Sequence, residues 1–530
     1  MLNVIEVVLG LLVAVAVLAL LARKIQIPYP ILFVIGGLLL GLIPDLPNVR
    51  LDPELVFLFF LPPLLFPAAL FTSWRDFRAN ARPISLLAVG LVLFTTAAVG
   101  LLAHYFIADL PLAAGFVLGA IISPPDAIAA TAIADRLRVP RRIVTVLKGE
   151  SLVNDATALV AYRFAVAAVV TGTFSPASAS GQFFIVGIGG ILIGLAVGWL
   201  AAWFHKRVDD PPIEITVSLL TPFAAYLPAE QLHVSGVLAV VAAGLYLGWR
   251  LPEITSSQTR LQAGPVWGMI EFLLNGFIFI LIGLQLPEVL GNLSGRSIPQ
   301  LIWYAAVISL AVILIRILWV FPASYLPRLL FKRIRERDPY PAWQHVTIVA
   351  WTGMRGVVSL AAALALPPKL ENGSPFPGRD LILFLTFVVI LATLVVQGLS
   401  LPPIIRWLGV KDDGAAEKEE REARLKANQA ALARLNELAG SQPVNTDTLQ
   451  RMRIEYEDRI RQLEVCEPEG GETRPRLFSS EYEQLLHETL LVERKTILQL
   501  RNERVINDEV LRRIQRDIDL AEARLRKPGP

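Results

Sequence analysis

Two acids, an amide and a hydroxyl fall within six residues of an otherwise apolar segment, Glu150-Ser151-Leu152-Val153-Asn154-Asp155. Ser151 and Asp155 are four residues apart, so on a helix they share a face, with Asn154 beside them and Glu150 at the edge. A charged side chain at the centre of a membrane helix costs roughly 2.5–3.5 kcal/mol on insertion scales. It survives there when it is paired or when it handles an ion. Carboxylate, hydroxyl and freed backbone carbonyl oxygens are hard ligands that suit a hard monovalent cation. Thiol and imidazole are missing from this stretch, which argues against a transition metal.

Two further segments belong with it. The preceding apolar run carries Ser123-Pro124-Pro125-Asp126 in its middle, and a distant one carries Thr352-Gly353-Met354-Arg355-Gly356. Paired prolines remove two amide donors and free the carbonyls of Ala120 and Ile121. Gly353 and Gly356 loosen the second helix. Interrupted helices at matching places in two halves point to a midplane ion site, with Asp126, Ser151, Glu150, Asn154 and Asp155 as its candidate ligands. Low dielectric disfavours a bare carboxylate at Asp155 and an arriving cation favours it, so the group holds a proton or a cation but not both. Such a site suffices for exchange once its access alternates. Arg355, permanently charged, reads as the charge partner of Glu150 or Asp126.

Other polar residues in apolar runs read as structural. Arg163 and Arg316 are expected in ion pairs or snorkelling to an interface. Glu271 and Asn275, four apart, are placed to face Arg355. His104, His205, His233 and His345 lie near span ends, and Gly190, Gly194 and Gly198 read as a close helix–helix seam.

The elements that must hold these residues follow from hydropathy. Of 530 residues 54% are hydrophobic and 18% charged, below the ~25% charged of an ordinary soluble chain. Residues 1–410 are mostly apolar runs long enough to cross a ~30 Å hydrocarbon core, and residues 411–530 contain none. Net charge is +6 before residue 411 and −3 after it, and neither value favours a nucleic-acid partner. The single cysteine, Cys466, excludes an intrachain disulfide. The first apolar run ends at Arg23-Lys24 without a small-residue cleavage site, so it reads as a retained span.

Thirteen spans are expected, starting near Val4, Pro28, Glu54, Pro83, Leu110, Ile143, Gln182, Ile213, His233, Pro265, Ser297, Gln344 and Asp380. Alternate loops carry eighteen and four Lys or Arg residues, which places the N-terminus outside and residues 411–530 in the cytoplasm. The fold class is therefore an all-α polytopic membrane protein of about thirteen helices. It is arranged as two inverted-topology repeats with two discontinuous crossing helices, plus a helical cytoplasmic tail. The lipid bilayer, monovalent cations and protons are the expected partners. Na⁺ and H⁺ would be transported substrates, and no cofactor is expected.

The spacing of Asp126 and Asp155, the string Gly-Glu-Ser-Leu-Val-Asn-Asp and the later Gly353-Met354-Arg355-Gly356 resemble the sodium/proton exchanger branch of the monovalent cation:proton antiporters, bacterial type. The likeness covers residues 5–410. It implies a homodimer in the cell membrane with a dimerisation domain and a mobile ion-carrying core. It also implies Asp155 as carrier of cation and proton, with Ser151, Glu150 and Asp126 around it and Asn154 as its structural neighbour. In such relatives Asn-Asp goes with electroneutral exchange and two adjacent acids with electrogenic exchange. The chain departs from the pattern in placing two prolines before Asp126, where relatives put one after it. At Asn275 some relatives carry a Glu that pairs with the arginine, and Glu271, one turn earlier, stands as its substitute. A cation channel or proton-coupled solute symporter is the alternative, and a receptor acting through its tail would leave the buried acids unexplained.

In the tail, residues 415–439, 447–465, 479–506 and 508–526 read as charged amphipathic helices. An apolar stripe includes Leu485, Leu490 and Ile497. No phosphate-binding motif is present there, and the reading is a solvated appendage or dimer contact.

Overall fold

The computed structural model describes residues 2–25, 27–43, 56–172, 176–285, 296–370, 373–412, 414–441, 445–464 and 489–497, with scattered positions between 289 and 293 and between 499 and 520. The chain separates into two compact units, Met1–Lys411 and Asp412–Pro530.

The first unit is a bundle of helices with one isolated β-bridge, Lys369 to Pro375, among the described residues. In chain order it contains α1 (Leu2–Ile25), α2 (Tyr29–Gly41), α3 (Val56–Leu70), α4 (Ala81–Phe106), α5 (Leu112–Ile122) and α6 (Ile128–Arg136). The bundle continues with α7 (Arg141–Thr171), α8 (Pro176–His205), α9 (Pro211–Gln231), α10 (Gly236–Ile254) and α11 (Ser257–Leu284). It closes with α12 (Ile298–Leu330), α13 (Trp343–Trp351), α14 (Val357–Leu364) and α15 (Arg379–Trp407). Among the described residues, eight helices are long and apolar enough to cross a membrane. Every expected span start falls within a helix or at most three residues before one, except Glu54, which lies outside the described residues.

Local chemistry sets the helix ends. Ser235 and Ser256 cap α10 and α11 by accepting from the backbone N–H groups of Leu238 and Thr259, both at 3.2 Å. Gly172 ends α7 in the left-handed region at φ 70°, where a side chain would be strained. At one end of the bundle Asp338 accepts from Arg82, Arg142 and Arg328 at 2.6, 2.6 and 2.7 Å, tying α4, α7 and α12 together.

The expected glycine seam is present. Gly190, Gly194 and Gly198 of α8 face the backbone carbonyls of Ser235, Ala239 and Ala243 at the start and along α10. The backbones are so close that a β-carbon at Gly194 would overlap the Ala239 carbonyl oxygen.

The second unit begins with α16 (Ala415–Ser441) and α17 (Thr446–Glu464), at the two places expected. Ion pairs on their surfaces join Arg424 to Glu420 and Arg453 to Glu457. The helices expected over 479–506 and 508–526 lie largely outside the described residues; Leu490 and Ile497, which are among the described ones, are buried.

Replacing Gly194 with Leu should separate α8 from α10 at a cost of about 1–3 kcal/mol, the usual penalty of overpacking. A lower midpoint of thermal unfolding in detergent would register it, and an unchanged midpoint would contradict this seam.

Candidate ion-binding site

The two chain interruptions occur where the prolines and glycines stand. Between α5 and α6 the backbone is unwound through Ser123–Ala127, and between α13 and α14 through Thr352–Gly356. Ser123 closes the end of α5 by donating its hydroxyl to the Ala120 carbonyl, 2.9 Å, which satisfies one of the acceptors that the prolines free. The two unwound segments meet: the Asp126 N–H donates to the Met354 carbonyl at 2.7 Å. Gly356 lies directly against the Asp126 side chain, so close that a β-carbon there would occupy the carboxylate's place. The Asp126 carboxylate is itself oriented by the Ile128 N–H, which donates to Oδ1 at 2.8 Å.

Helix α7 passes beside this crossing. Asn154, fully buried, donates its Nδ2 to the Pro125 carbonyl at 2.7 Å and so ties the unwound segment to α7. Asp155 and Ser151, on the adjoining face, open with Asp126, Pro124 and Gly356 onto a cavity of about 360 Å³. Helices α2, α3 and α11 complete its wall, contributing Tyr29, Thr72 from just beyond α3, and Glu271. At the α6–α7 end the cavity reaches Asp135 and Lys148, which approach each other to 3.8 Å. Asp155 is 7% exposed, and its carboxylate accepts no hydrogen bond from a described residue. Two carboxylates, a hydroxyl and unwound backbone on one cavity make a set of hard oxygens suited to a monovalent cation, with protons competing for the same acids.

Two of the five candidate ligands, Glu150 and Asn154, do not line this cavity, nor do Pro125, Gly353 and Arg355, and the partner assigned to Glu150 differs. Glu150 turns away from it and forms a bidentate pair with Arg316 of α12, at 2.6 and 2.9 Å, both side chains about 1% exposed. The pairing read from sequence for Glu150, with Arg355, is thus taken by Arg316. Spacing along the chain gave no means of choosing between two arginines from different helices. Arg163 pairs with Glu230 at 2.8 Å, as its structural reading required. Asn154 serves as the donor described above, not as a cavity ligand. The Arg355 guanidinium is fully buried and has no hydrogen-bond acceptor among the described residues, so neither Glu271 nor Asn275 bonds it. Its backbone N–H donates to the hydroxyl of Thr393, 3.0 Å.

Thr393 and Gln397 are residues that the sequence reading missed. They bound a π-helical turn in α15, Thr393–Gln397, that packs against the second interruption, with Gln397 reaching the neighbourhood of Gly353. Their signal was present in the chain, as two polar residues four apart within an apolar run. Tyr29 is also missed, since an aromatic at a helix start carries no mark of a cavity wall.

An all-helical bundle in which unwound segments cross beside a carboxylate-lined cavity is the architecture of a secondary transporter. The chain belongs to the sodium/hydrogen exchanger family: residues 10–407 match the family described as "Sodium/hydrogen exchanger, transmembrane". It is 37% identical over 530 residues to an uncharacterized Na(+)/H(+) exchanger of Mycobacterium tuberculosis, covering 99% of this chain and 96% of that one. It is 38% identical over 408 residues to a sodium, potassium, lithium and rubidium/H(+) antiporter of Bacillus subtilis, covering 75% of this chain and 60% of that one. Its fold is similar to that of the sodium proton antiporter MjNhaP1 from Methanocaldococcus jannaschii, with a TM-score of 0.60 and 20% identity over 77% of this chain and 99% of that one.

Removing Arg316 alone, as Arg316→Met, should cost about 3–5 kcal/mol, because Glu150 is left buried and uncompensated. Pairing it with Glu150→Gln should restore most of the loss in thermal unfolding; equal instability of the single and double variants would contradict the pairing. Gly356→Ala should push the Asp126 carboxylate out of place and reduce transport well below wild type in protein that still purifies as a folded species. Wild-type transport by that variant would deny the close approach a role.

Proposed function

We propose that the chain is a secondary antiporter that exchanges Na⁺, or Li⁺ or K⁺, for protons by alternating access. The observation that carries this reading is that Asp155 and Asp126 open on one cavity, beside two unwound segments that hydrogen-bond each other. In this reading Asp155 carries the cation or the proton, and Asp126 and Ser151 complete the oxygen set. Pro124, Pro125, Gly353 and Gly356 keep the backbone open. Glu150 and Asn154 support the carrier from behind, Glu150 through its pair with Arg316 and Asn154 through the Pro125 carbonyl. Arg355 supplies buried positive charge near that pair.

The sequence Asn154-Asp155 puts one acid, not two, at the carrying position, which supports one cation per proton and electroneutral exchange. The loop asymmetry of Lys and Arg supports an external N-terminus and a cytoplasmic tail from about residue 411, in a cell membrane. The family likeness supports a homodimer, and the physiological role would be pH and sodium homeostasis. The cations named for the Bacillus relative motivate testing more than sodium.

In everted membrane vesicles acidified by respiration, adding Na⁺, Li⁺ or K⁺ in turn should dequench a pH-sensitive dye. Asp155→Asn should abolish the response, and exchange that survives this change would contradict the carrier assignment. Clamping the membrane potential with potassium and valinomycin should leave the Na⁺ response unaltered if exchange is electroneutral.

A further inference from the structure

The opposite side of α7 from Asp155 borders a second, larger space. Val153 and Val160 of α7, Ile188 and Ile191 of α8, and Val241 and Leu245 of α10 enclose a crevice of about 680 Å³. Its lining is almost wholly hydrocarbon. One of its few hydroxyls, that of Thr157, donates to the Val153 carbonyl within its own helix. On the α7 side it reaches deep, to Ala156 and Thr157, each 3% exposed. On the α8 side it opens outward, where Phe184 and Ile188 are 64% and 55% exposed.

A space of this size and character needs an occupant. Left empty, its walls forfeit their dispersion contacts. Water fills cavities that offer it two to four polar partners, which this one does not. In a membrane-embedded bundle the medium at the opening is acyl chain. The volume has room for roughly twenty groups the size of a water molecule or a methylene, which suits one long acyl chain.

The end of the crevice fits the rest of such a lipid. Trp74, Tyr246 and Trp249 line it there, amphipathic rings of the kind found at the headgroup level. Arg250 lies over the Trp249 ring at 4.7 Å and pairs at the surface with Glu253 at 3.2 Å, an exposed contact that a headgroup phosphate would have to share, and Arg78 is exposed on the short helix Trp74–Ala79 that carries the first tryptophan. Both arginines belong to the basic set of loops.

We propose that this crevice is a binding site for an anionic phospholipid, one acyl chain lying between α7 and the α8–α10 pair and the headgroup held at Arg78 and Arg250. The occupied crevice props the helix that bears Asp155 against the glycine-seamed pair. The proposal stands apart from the assignment of the cation.

The test uses the full-length protein in lipid nanodiscs containing a trace of phosphatidylglycerol or phosphatidylcholine with a photoactivatable diazirine near the chain terminus. Cross-linked residues are mapped by mass spectrometry. Labelling of α7 between Val153 and Val160 is expected, and its absence in the wild type would overturn the site. Gly187, on the crevice wall, has no neighbour nearer to an added β-carbon than the Leu238 side chain at 3.6 Å, so Gly187→Phe should fill the space. That variant, or Ala242→Leu if it folds poorly, should lose the α7 label but keep the label on the outer face of α8. Leu192→Phe, on that outer face, should keep both. Equal α7 labelling in the filled variants and the wild type would overturn the proposal. Phosphatidylglycerol should label α7 more strongly than phosphatidylcholine, and Arg78→Gln with Arg250→Gln should erase the difference. Equal labelling by both lipids in the wild type would overturn the headgroup assignment.

Discussion

A single backbone hydrogen bond, from the Asp126 N–H to the Met354 carbonyl, joins two stretches of chain that are 228 positions apart in sequence and neither of which is helical. Unwound backbone inside a membrane bundle is tolerable only when its polar groups find partners or line a cavity. Here each segment supplies part of what the other lacks, and α7 adds the Asn154 amide at the Pro125 carbonyl. The position of Asp126 follows from these contacts. Gly356 is glycine because the other segment passes where its side chain would be. The arrangement of the cavity, and hence the placing of Asp155 opposite Asp126, is derived from that crossing.

Charge is handled by segregation. The acids that face the cavity are left without guanidinium partners, whereas Glu150, one residue before Ser151, is neutralised by Arg316 in a dry environment. A buried, bidentate pair of this kind is a poor source of net stability but is severe on any rearrangement that separates it. It therefore fixes the rotation of α7 about its own axis relative to α12. With that rotation set, Ser151 and Asp155 face the cavity and the apolar Val153 and Val160 face the other way.

Much of this was legible in the chain. The interruptions could be read because proline and glycine act through backbone geometry, which is a local property. The seam of Gly190, Gly194 and Gly198 could be read for the same reason, since four-residue spacing on a helix is local too. What could not be read were choices among distant residues. Nothing in the spacing decides whether Glu150 meets Arg316 or Arg355, because that depends on how α12 and α13 pack. The same holds for Tyr29 and Glu271 as cavity walls. Thr393 and Gln397 fall between these cases: their spacing is visible, but the extra backbone turn they bound depends on what it packs against.

The bond from Asn154 to Pro125 also limits how this site can diverge. Changing Asn154 to Asp would add a second acid beside Asp155 by a single substitution. The same step would remove the amide that donates to the Pro125 carbonyl and set an ionised oxygen against that carbonyl instead. The loss falls on the unwound segment, not on the new acid. A lineage that gained the second charge would first need another donor for Pro125, from a neighbouring side chain or a lodged water. The order of substitutions at this position is thus constrained by a residue whose amide is committed to the unwound backbone.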